Sequence, residues 1–246
     1  MKQIFLMLLL LSLCFQVQGR GKKHSFPKPF KADVAYGEHE RNKLDFWKAD
    51  SAGATPVVVF FHGGAFKAGD KSSIHLFMEV EKYMSKGISC ITVNYPFLKH
   101  TNNNYLAIMK HCEQSIEFIK KNSKEWNIEM SKIAVSGCSA GCLISQWLGY
   151  RTKNISAMAV FLQPMGTDFF VTPAVKKGAP PLFIYQTSPF SDKIHHPDYA
   201  TNLKKVCDQK KAPCELWGSG TNGIKKLPKG QTPKEVILKF FQKSWE

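Results

Sequence analysis

Several features that define other classes of protein are missing from this sequence. After its first residues, no apolar stretch approaches the roughly 20 residues that a membrane-spanning helix needs, so no membrane span is expected. No Cys-x-x-Cys pair or other spacing of metal ligands occurs, which argues against a metal site such as zinc. Internal repeats, low-complexity tracts and long linkers are also absent. The sequence therefore predicts one folded domain rather than a string of modules.

Acidic residues are scarce, since 19 Asp and Glu stand against 34 Lys and Arg and give a formal net charge of +15. Such an excess of positive charge can attract anionic polymers or surfaces. The lysines, however, occur in scattered pairs without interleaved aromatic or arginine residues, which is typical of a solvated surface. These pairs are Lys120-Lys121, Lys176-Lys177, Lys204-Lys205, Lys210-Lys211 and Lys225-Lys226. No nucleic-acid partner is therefore predicted.

Residues 1–19 have the pattern of a secretory signal peptide. Lys2 supplies a positively charged start, an apolar block runs from Ile4 to Phe15, and the small residue Gly19 closes the segment. We therefore expect export of the chain and a secreted or periplasmic location. Residues 20–246 are predicted to form a single domain, because that length suits one hydrophobic core.

Six of the seven cysteines follow this leader, and an exported chain permits disulfide bonds. Cys207 and Cys214 flank a short lysine-rich connection between a predicted helix and a predicted strand, so they are the pair expected to form a disulfide. Cys90 and Cys112 are expected in a strand and a helix, where buried free thiols fit equally well. The sequence leaves the complete disulfide pattern open.

Predicted strands and helices alternate along the chain. The strand-like segments are 44–48, 57–61, 89–93, 133–136, 157–162, 182–186 and 215–217, and the helix-like segments are 74–86, 105–125, 140–150, 198–209 and 233–243. The middle strands are continuous apolar runs, a pattern typical of strands that helices cover on both faces. The alternation predicts an α/β fold with a doubly wound, mostly parallel sheet. Such sheets bind ligands beyond the carboxyl ends of their strands.

The most informative segment is an apolar strand that runs into Gly137-Cys138-Ser139-Ala140-Gly141 and then into a helical pattern. The glycines two residues before and two residues after the serine allow the chain to turn sharply from strand to helix. The hydroxyl of Ser139 would then stand clear at the end of a sheet, as in a nucleophile elbow. Ser139 is therefore the predicted nucleophile of an acyl-transfer reaction.

A glycine-rich turn, His62-Gly63-Gly64-Ala65-Phe66, follows the first long apolar strand. Adjacent glycines at a strand end let backbone amides approach a ligand closely. The amides of Gly64 and Ala65, together with that of Ala140 after the nucleophile, are predicted to form an oxyanion hole. The alternative interpretation is a plain glycine turn without a binding role.

Taken together, these motifs resemble the α/β-hydrolase superfamily, in particular the secreted esterase and lipase branch related to hormone-sensitive lipase and bacterial carboxylesterases. The resemblance extends from the leader to about residue 165 and rests on Asp33–Gly37, Leu44–Phe46, His62–Phe66, Val93–Tyr95, Trp126–Ile128, Ser131–Ile133 and Gly137–Gly141. It implies an α/β-hydrolase fold, a serine esterase without a cofactor, and a role for His62 in shaping the oxyanion turn. In such enzymes an acid follows the penultimate strand and a base histidine follows the last strand.

The last third of the sequence departs from that pattern. After the last predicted strand, Asn222 stands in the place of the histidine, and no histidine occurs after His196. The loop after the penultimate strand contains Asp192, His195 and His196 instead. Because a serine hydroxyl needs a base within about 2.6–3.2 Å, we expect a rearranged site. In this hypothesis Ser139 is the nucleophile, His195 or His196 is the base, and Asp192 is the orienting acid.

Alternatives stay open at this point. The two adjacent histidines before Pro197 also fit a helix start or a surface binding patch, and Asp168 is an alternative acid. If neither histidine acts as a base, the chain is a non-catalytic binding protein that keeps the hydrolase scaffold. Asn222 is the residue that favours this second function.

The connection between Leu162 and Leu182 leaves room only for a small cap over the site. An open site suits short acyl groups, or esters displayed on a larger molecule. The predicted function is therefore that of a secreted serine carboxylesterase acting on a small-molecule or polysaccharide-linked ester. Acetylated or feruloylated polysaccharide is the substrate class that the resemblance implies. The sequence does not determine the oligomeric state.

Overall fold

The computed structural model describes residues 26–246, so the predicted signal peptide lies outside the described residues. The strands are β1 (Lys31–Ala35), β2 (Lys43–Trp47), β3 (Thr55–Phe61), β4 (Ser89–Val93), β5 (Ile128–Cys138), β6 (Ile155–Phe161), β7 (Leu182–Gln186) and β8 (Cys214–Gly218). They form one sheet in the order β1-β2-β4-β3-β5-β6-β7-β8. The pairs β1–β2 and β2–β4 are antiparallel, and every other neighbouring pair is parallel. The predicted mostly parallel α/β architecture is confirmed.

Helices flank this sheet. They are α1 (Ile74–Phe77), α2 (Val80–Met84), α3 (Tyr105–Lys121), α4 (Ser123–Trp126), α5 (Ala140–Arg151), α6 (Thr167–Phe170), α7 (Pro197–Gln209) and α8 (Pro233–Ser244). Two predicted helices are each divided in two, because Met78 is extended with φ −131° and ψ 143° and because Asn122 ends α3. Between β6 and β7 the helical structure is limited to α6 and a short turn, so the predicted small cap is confirmed. No helix within residues 26–246 is long and apolar enough to cross a membrane.

The core lies on both faces of the sheet, which explains the unbroken apolar run of β3. Successive side chains of a strand point to opposite faces. Val57, Val59 and Phe61 pack on one face, while Val58 and Phe60 pack on the other, and all five are fully buried. Polar alternation is therefore not possible in this strand, since neither face contacts water.

The parallel strands bring the candidate residues to one edge of the sheet. Strand β3 ends at Phe61 before the glycine turn, β5 ends at Cys138 before the serine, and β7 ends at Gln186 before the loop with the acid and the histidines. Because the carboxyl ends of parallel strands lie at the same edge of a sheet, all three loops begin at this edge. Strand β3 is the direct neighbour of β5, and the glycine turn therefore lies next to the serine.

The expected disulfide between Cys207 and Cys214 is not formed, since both cysteines are free thiols. Cys207 lies on α7 and Cys214 begins β8. The two thiols contact each other, and the hydrogen bond from Cys214 lowers the pKa of Cys207. The other cysteines of the described residues are buried free thiols, as the sequence allowed for Cys90 and Cys112.

Candidate active site

The serine lies on a sharply strained turn between β5 and α5. Ser139 has φ 53° and ψ −118°, and non-glycine residues rarely adopt such a positive φ. Its backbone N–H donates to the carbonyl of Phe161 at 3.0 Å, which ties the turn to the end of β6. A Cβ atom on Gly141 would collide with the carbonyl oxygen of Phe61, and one on Gly137 would collide with the carbonyl of Gly141. The two glycines of the motif are therefore required by close backbone approach.

A histidine from a distant loop contacts this serine. The Nε2 atom of His195 lies 2.8 Å from Oγ of Ser139, and its Nδ1 atom lies 3.1 Å from Oδ2 of Asp192. An ionised carboxylate can only accept hydrogen bonds, so Nδ1 of His195 carries the proton. The Nε2 atom is then the acceptor for the Ser139 hydroxyl. This arrangement has the connectivity of a serine, histidine and aspartate triad.

Asp192 is held by the backbone of its own loop. Its Oδ1 atom accepts hydrogen bonds from the N–H groups of Ile194 and His195, each at 2.9 Å. Partial burial raises the pKa of this carboxyl, but the hydrogen bonds from the backbone and side chain of His195 outweigh that effect and lower the pKa below its usual value. Asp192 is therefore ionised near neutral pH and fixed in orientation.

The other candidates from the sequence do not reach the serine through any contact within the described residues. His196 caps the start of α7, where its Nδ1 atom accepts from the N–H of Asp198 at 3.3 Å. This is the position that the helix-start alternative predicts. Asn222 donates to Asp198 at 2.9 Å. Asp168 is exposed, and its one side-chain hydrogen bond among the described residues comes from Thr172, at 3.5 Å.

The glycine turn lies against the serine. A Cβ atom on Gly63 would come within 3.3 Å of the Cβ atom of Ser139, so this turn and the elbow are in close contact. The following residues bend sharply, since Gly64 has φ 112° and Ala65 has φ 52°. Both are exposed, and Ala140 is the first residue of α5, where an amide has no partner within the helix. Such amides are available to a negatively charged oxygen.

His62, the first residue of this turn, is held by contacts with Tyr95 and Gly63. It is buried and stacks on Tyr95 with a centroid distance of 4.3 Å, and its Nδ1 atom donates to the carbonyl of Gly63 at 2.6 Å. Burial is the main cause that lowers the pKa of His62 to about 4, and the nearby guanidinium of Arg41 lowers it further. His62 is therefore neutral near pH 7, and its contacts are structural.

Sequence reasoning missed two residues of this region. Arg41 lies between β1 and β2 and donates to the carbonyls of Tyr95 at 2.9 Å and Gly69 at 3.0 Å, which links this connection to the segments that follow β4 and the glycine turn. Gln186 donates to the carbonyl of His195 at 2.6 Å. No local motif marks either side chain, because each acts through partners distant in sequence. Gln186 does end the strand before the acid loop, which is the one signal that places it near the site.

Exposed apolar side chains occur on the segments around the triad. Met165, Phe169 and Phe190 are each more than half exposed. The N–H of Met165 donates to the carbonyl of Ile194, next to the histidine. Among residues 26–246, no group of three or more His, Cys, Asp or Glu side chains is arranged to hold a metal ion. The arrangement as a whole can carry out acyl transfer from an ester that approaches an open, partly apolar surface.

Comparisons with known proteins show what this chain is similar to. A family model described as BD-FAE matches residues 44–175, which is more than half of the chain. Esterase LipC of Mycobacterium tuberculosis is 25% identical over 144 residues, which cover 58% of this chain and 34% of that protein. Isoprenylcysteine alpha-carbonyl methylesterase ICME of Arabidopsis thaliana is 26% identical over 139 residues, which cover 55% of this chain and 31% of that protein. The matched region thus spans about a third of these curated relatives.

Solved structures share the fold over almost the whole described chain. A thermophilic esterase from the Planctomycetes species Thermogutta terrifontis, with propionate bound, has a TM-score of 0.71 at 15% identity, covering 89% of this chain and 96% of its own. A truncated carbohydrate esterase from gut microbiota has a TM-score of 0.70 at 14% identity, covering 92% of this chain and 99% of its own. At these identities the likeness establishes the α/β-hydrolase fold alone.

Proposed function

Because this chain belongs to the BD-FAE family within the α/β-hydrolase superfamily, we propose that it is a serine esterase that hydrolyses carboxylic esters. The observation that carries the proposal is the 2.8 Å distance between Nε2 of His195 and Oγ of Ser139, with Asp192 on the opposite ring nitrogen. A hydroxyl is a weak nucleophile at neutral pH unless an adjacent base removes its proton. The curated relatives named as esterases support the same activity.

In the first half of the reaction, His195 accepts the hydroxyl proton as Oγ of Ser139 attacks the ester carbonyl carbon. The negative charge that develops on the carbonyl oxygen is stabilised by the amides of Gly64, Ala65 and Ala140. The protonated imidazole, held by Asp192, then donates its proton to the departing alcohol oxygen, and the carbon–oxygen bond of the ester breaks. The product of this half is an acyl group bound to the serine.

In the second half, a water molecule takes the place of the alcohol. His195 removes a proton from the water as it attacks the acyl carbonyl, and the same amides stabilise the second tetrahedral intermediate. The imidazole returns the proton to Oγ, which releases the carboxylic acid and restores the serine. Each donor of the oxyanion hole typically contributes about 10²–10³ in rate.

The proposed substrates are short-chain or carbohydrate-linked acyl esters. Only α6 and a short turn occupy the connection between β6 and β7, so no cap domain encloses a long acyl chain in the described part of the protein. An exposed aromatic side chain on the loop of the acid and the base, Phe190, suits an ester displayed on a larger molecule. The signal-peptide pattern of residues 1–19 supports export to the compartment where such polymers occur.

The alternative function is a non-catalytic binding protein on a degenerate hydrolase scaffold. It was favoured by Asn222, which stands where the base histidine is expected. The contact between His195 and Ser139 supplies a candidate base from another loop, so the absence of a histidine after β8 no longer favours this alternative.

Hydrolysis of a short-chain p-nitrophenyl ester by the wild type beside Ser139→Ala tests the proposal. The wild type is expected to turn over the ester, and Ser139→Ala is expected to fall to the uncatalysed background. An organophosphonate probe should label the wild type at Ser139 and leave Ser139→Ala unlabelled. Equal rates for the two proteins, with no labelling of the wild type, would overturn the enzyme proposal in favour of the binding protein.

A further inference from the structure

A row of buried amide side chains connects the helix of the nucleophile to the loop of the base. Gln146 on α5, Gln163 after β6 and Gln186 at the end of β7 are all fully buried. The side chains of Gln146 and Gln163 exchange two hydrogen bonds, each 2.8 Å long. The backbone N–H of Gln163 donates to Oε1 of Gln186 at 2.7 Å, and Nε2 of Gln186 donates to the carbonyl of His195 at 2.6 Å.

The orientation of the last amide in this row is fixed by its partners. A backbone N–H can only donate, and a backbone carbonyl can only accept. Gln186 therefore presents its oxygen to Gln163 and its nitrogen to His195, and a flipped amide would lose both bonds. Because a buried polar group without a partner is costly, this single orientation is strongly preferred.

Hydrogen bonds hold the loop that carries the base at several points, among them one from the N–H of Met165 to the carbonyl of Ile194. This loop contains the acid and the base three residues apart, and Asp192 holds the N–H of His195 at 2.9 Å. On the opposite side of the peptide chain, Gln186 holds the carbonyl of His195. Both backbone groups of His195 are thus hydrogen-bonded. Its N–H is held by Asp192 in the same loop, and its carbonyl is held by Gln186 at the end of β7.

We propose that Gln186 is a positioning residue for the base, which fixes the backbone of His195 so that its imidazole meets the hydroxyl of Ser139. This inference rests on the proposed esterase function. The physical reason is that Asp192 belongs to the same loop as the base, whereas the hydrogen bond from Gln186 holds the backbone of His195 from outside that loop. Gln186 ends β7, which is paired with β6 and β8 on its two sides, so the sheet fixes the position of its backbone. A misplacement of a reacting group by about 1 Å can cost about 10² in rate.

The test compares two variants at this position with a matched control. Gln186→Met keeps the volume and removes both hydrogen bonds, whereas Gln186→Glu keeps the shape and the acceptor and replaces the donor that faces His195. The control is Ser89→Ala at the start of β4, on the opposite edge of the sheet. Ser89 is also fully buried and hydrogen-bonds Ala49 at 3.0 Å and Thr55 at 2.8 Å, so its loss perturbs stability without touching the site. Near-UV circular dichroism establishes that each variant is folded.

For both Gln186 variants, kcat for a short-chain ester is expected to fall by about 10–10², with KM changed by less than about twofold. Ser89→Ala is expected to lose about as much melting temperature as the Gln186 variants but to keep the wild-type kcat. A purely structural role of Gln186 predicts that its variants behave like Ser89→Ala, and that result would overturn the inference.

A spectroscopic measurement separates this inference from the proposed function. The proton on Nδ1 of His195, bonded to Asp192, is expected to give a downfield resonance in the wild type and in Ser89→Ala, and to shift or broaden in both Gln186 variants. If that change occurs in a protein that hydrolyses no ester, the esterase proposal fails while the positioning role stands. If the resonance is the same in all four proteins, Gln186 does not position His195.

Discussion

The imidazole of His195 and the hydroxyl of Ser139 lie 2.8 Å apart, although 56 positions separate the two residues in the chain. The loop after β7 therefore supplies the contact that the resemblance assigned to the loop after β8. Asp192 occupies the same loop, three residues before the histidine. The candidate acid and base thus lie on one short segment. Neither of them comes from the segment after β8.

The first prediction concerns the choice between the neighbouring histidines. His195→Ala is expected to lower kcat by about 10²–10⁴, the usual contribution of a positioned general base. His196→Ala is expected to keep kcat within about threefold, because its ring caps α7 and a lost cap affects mainly stability, by about 1 kcal/mol. Steady-state hydrolysis of a short-chain ester measures both effects. A loss of activity in His196→Ala with full activity in His195→Ala would contradict the assignment.

The second prediction concerns the segment after β8. Asn222 donates a hydrogen bond to Asp198 and forms none with the three residues of the triad. Asn222→Ala is therefore expected to leave kcat and KM for the same ester unchanged within about twofold, with at most a small loss of melting temperature. A kcat lowered as far as that of His195→Ala would show that this segment takes part in the reaction.

The third prediction concerns the acid. Asp192→Asn keeps an oxygen for the backbone N–H groups of Ile194 and His195 but no longer stabilises the proton on Nδ1. In serine hydrolases such a change favours the wrong tautomer of the imidazole and costs about 10⁴ in kcat. We expect a loss of the same order here, measured against Asp168→Asn, which removes an exposed carboxylate outside the triad. Similar kinetics for the two variants would exclude Asp192 as the orienting acid.

The fourth prediction concerns the elbow itself. Gly141→Ala places a methyl group against the carbonyl oxygen of Phe61, so β3 and α5 must separate. Forcing extra volume into a packed site typically costs about 1–3 kcal/mol, and about 2–4 °C of melting temperature accompany each kcal/mol in a chain of this size. Gly53→Ala is the control, since a Cβ atom there meets no atom within 4 Å. Equal melting temperatures for the two variants would mean that the elbow has room for a side chain.

Much of this arrangement could be predicted from the sequence, because it follows from short-range patterns. Strands β4 and β7 have the predicted limits, 89–93 and 182–186, since turn residues bound each apolar run. The elbow was recognisable because the glycines around Ser139 are demanded by local backbone contacts. The proximity of the two loops followed from parallel strands, which end at one edge of the sheet.

The remaining features depend on the path of the backbone between elements, which no local pattern encodes. His195 and His196 are adjacent in sequence, but the first contacts Ser139 and the second caps α7, because the backbone of the loop turns between them. The amide row that ends at Gln186 joins residues from separate elements, so spacing along the chain carries no signal of it. The break at Met78, whose backbone is extended and whose side chain is buried, is likewise not marked by a proline or a glycine.

The last prediction concerns the stability of the folded chain in acid. Burial is the main cause that lowers the pKa of His62 from 6.5 to about 4. Between these pH values the unfolded chain binds a proton at His62 that the folded chain does not, so proton uptake favours unfolding. The stabilisation is complete above pH 6.5 and is lost as the pH falls through about 4. The loss from this one residue should be about 3 kcal/mol.

Urea unfolding of the wild type and His62→Asn at several pH values between 7 and 4 tests this expectation. The asparagine amide can still donate to the carbonyl of Gly63, as Nδ1 of His62 does, but it does not titrate. His62→Asn should therefore show a flatter decline of the free energy of unfolding over this interval. His75→Gln, which changes an exposed histidine, should follow the wild type. Parallel curves for the wild type and His62→Asn would mean that acid acts on other groups, because only the buried imidazole differs between these two proteins in its capacity to bind a proton.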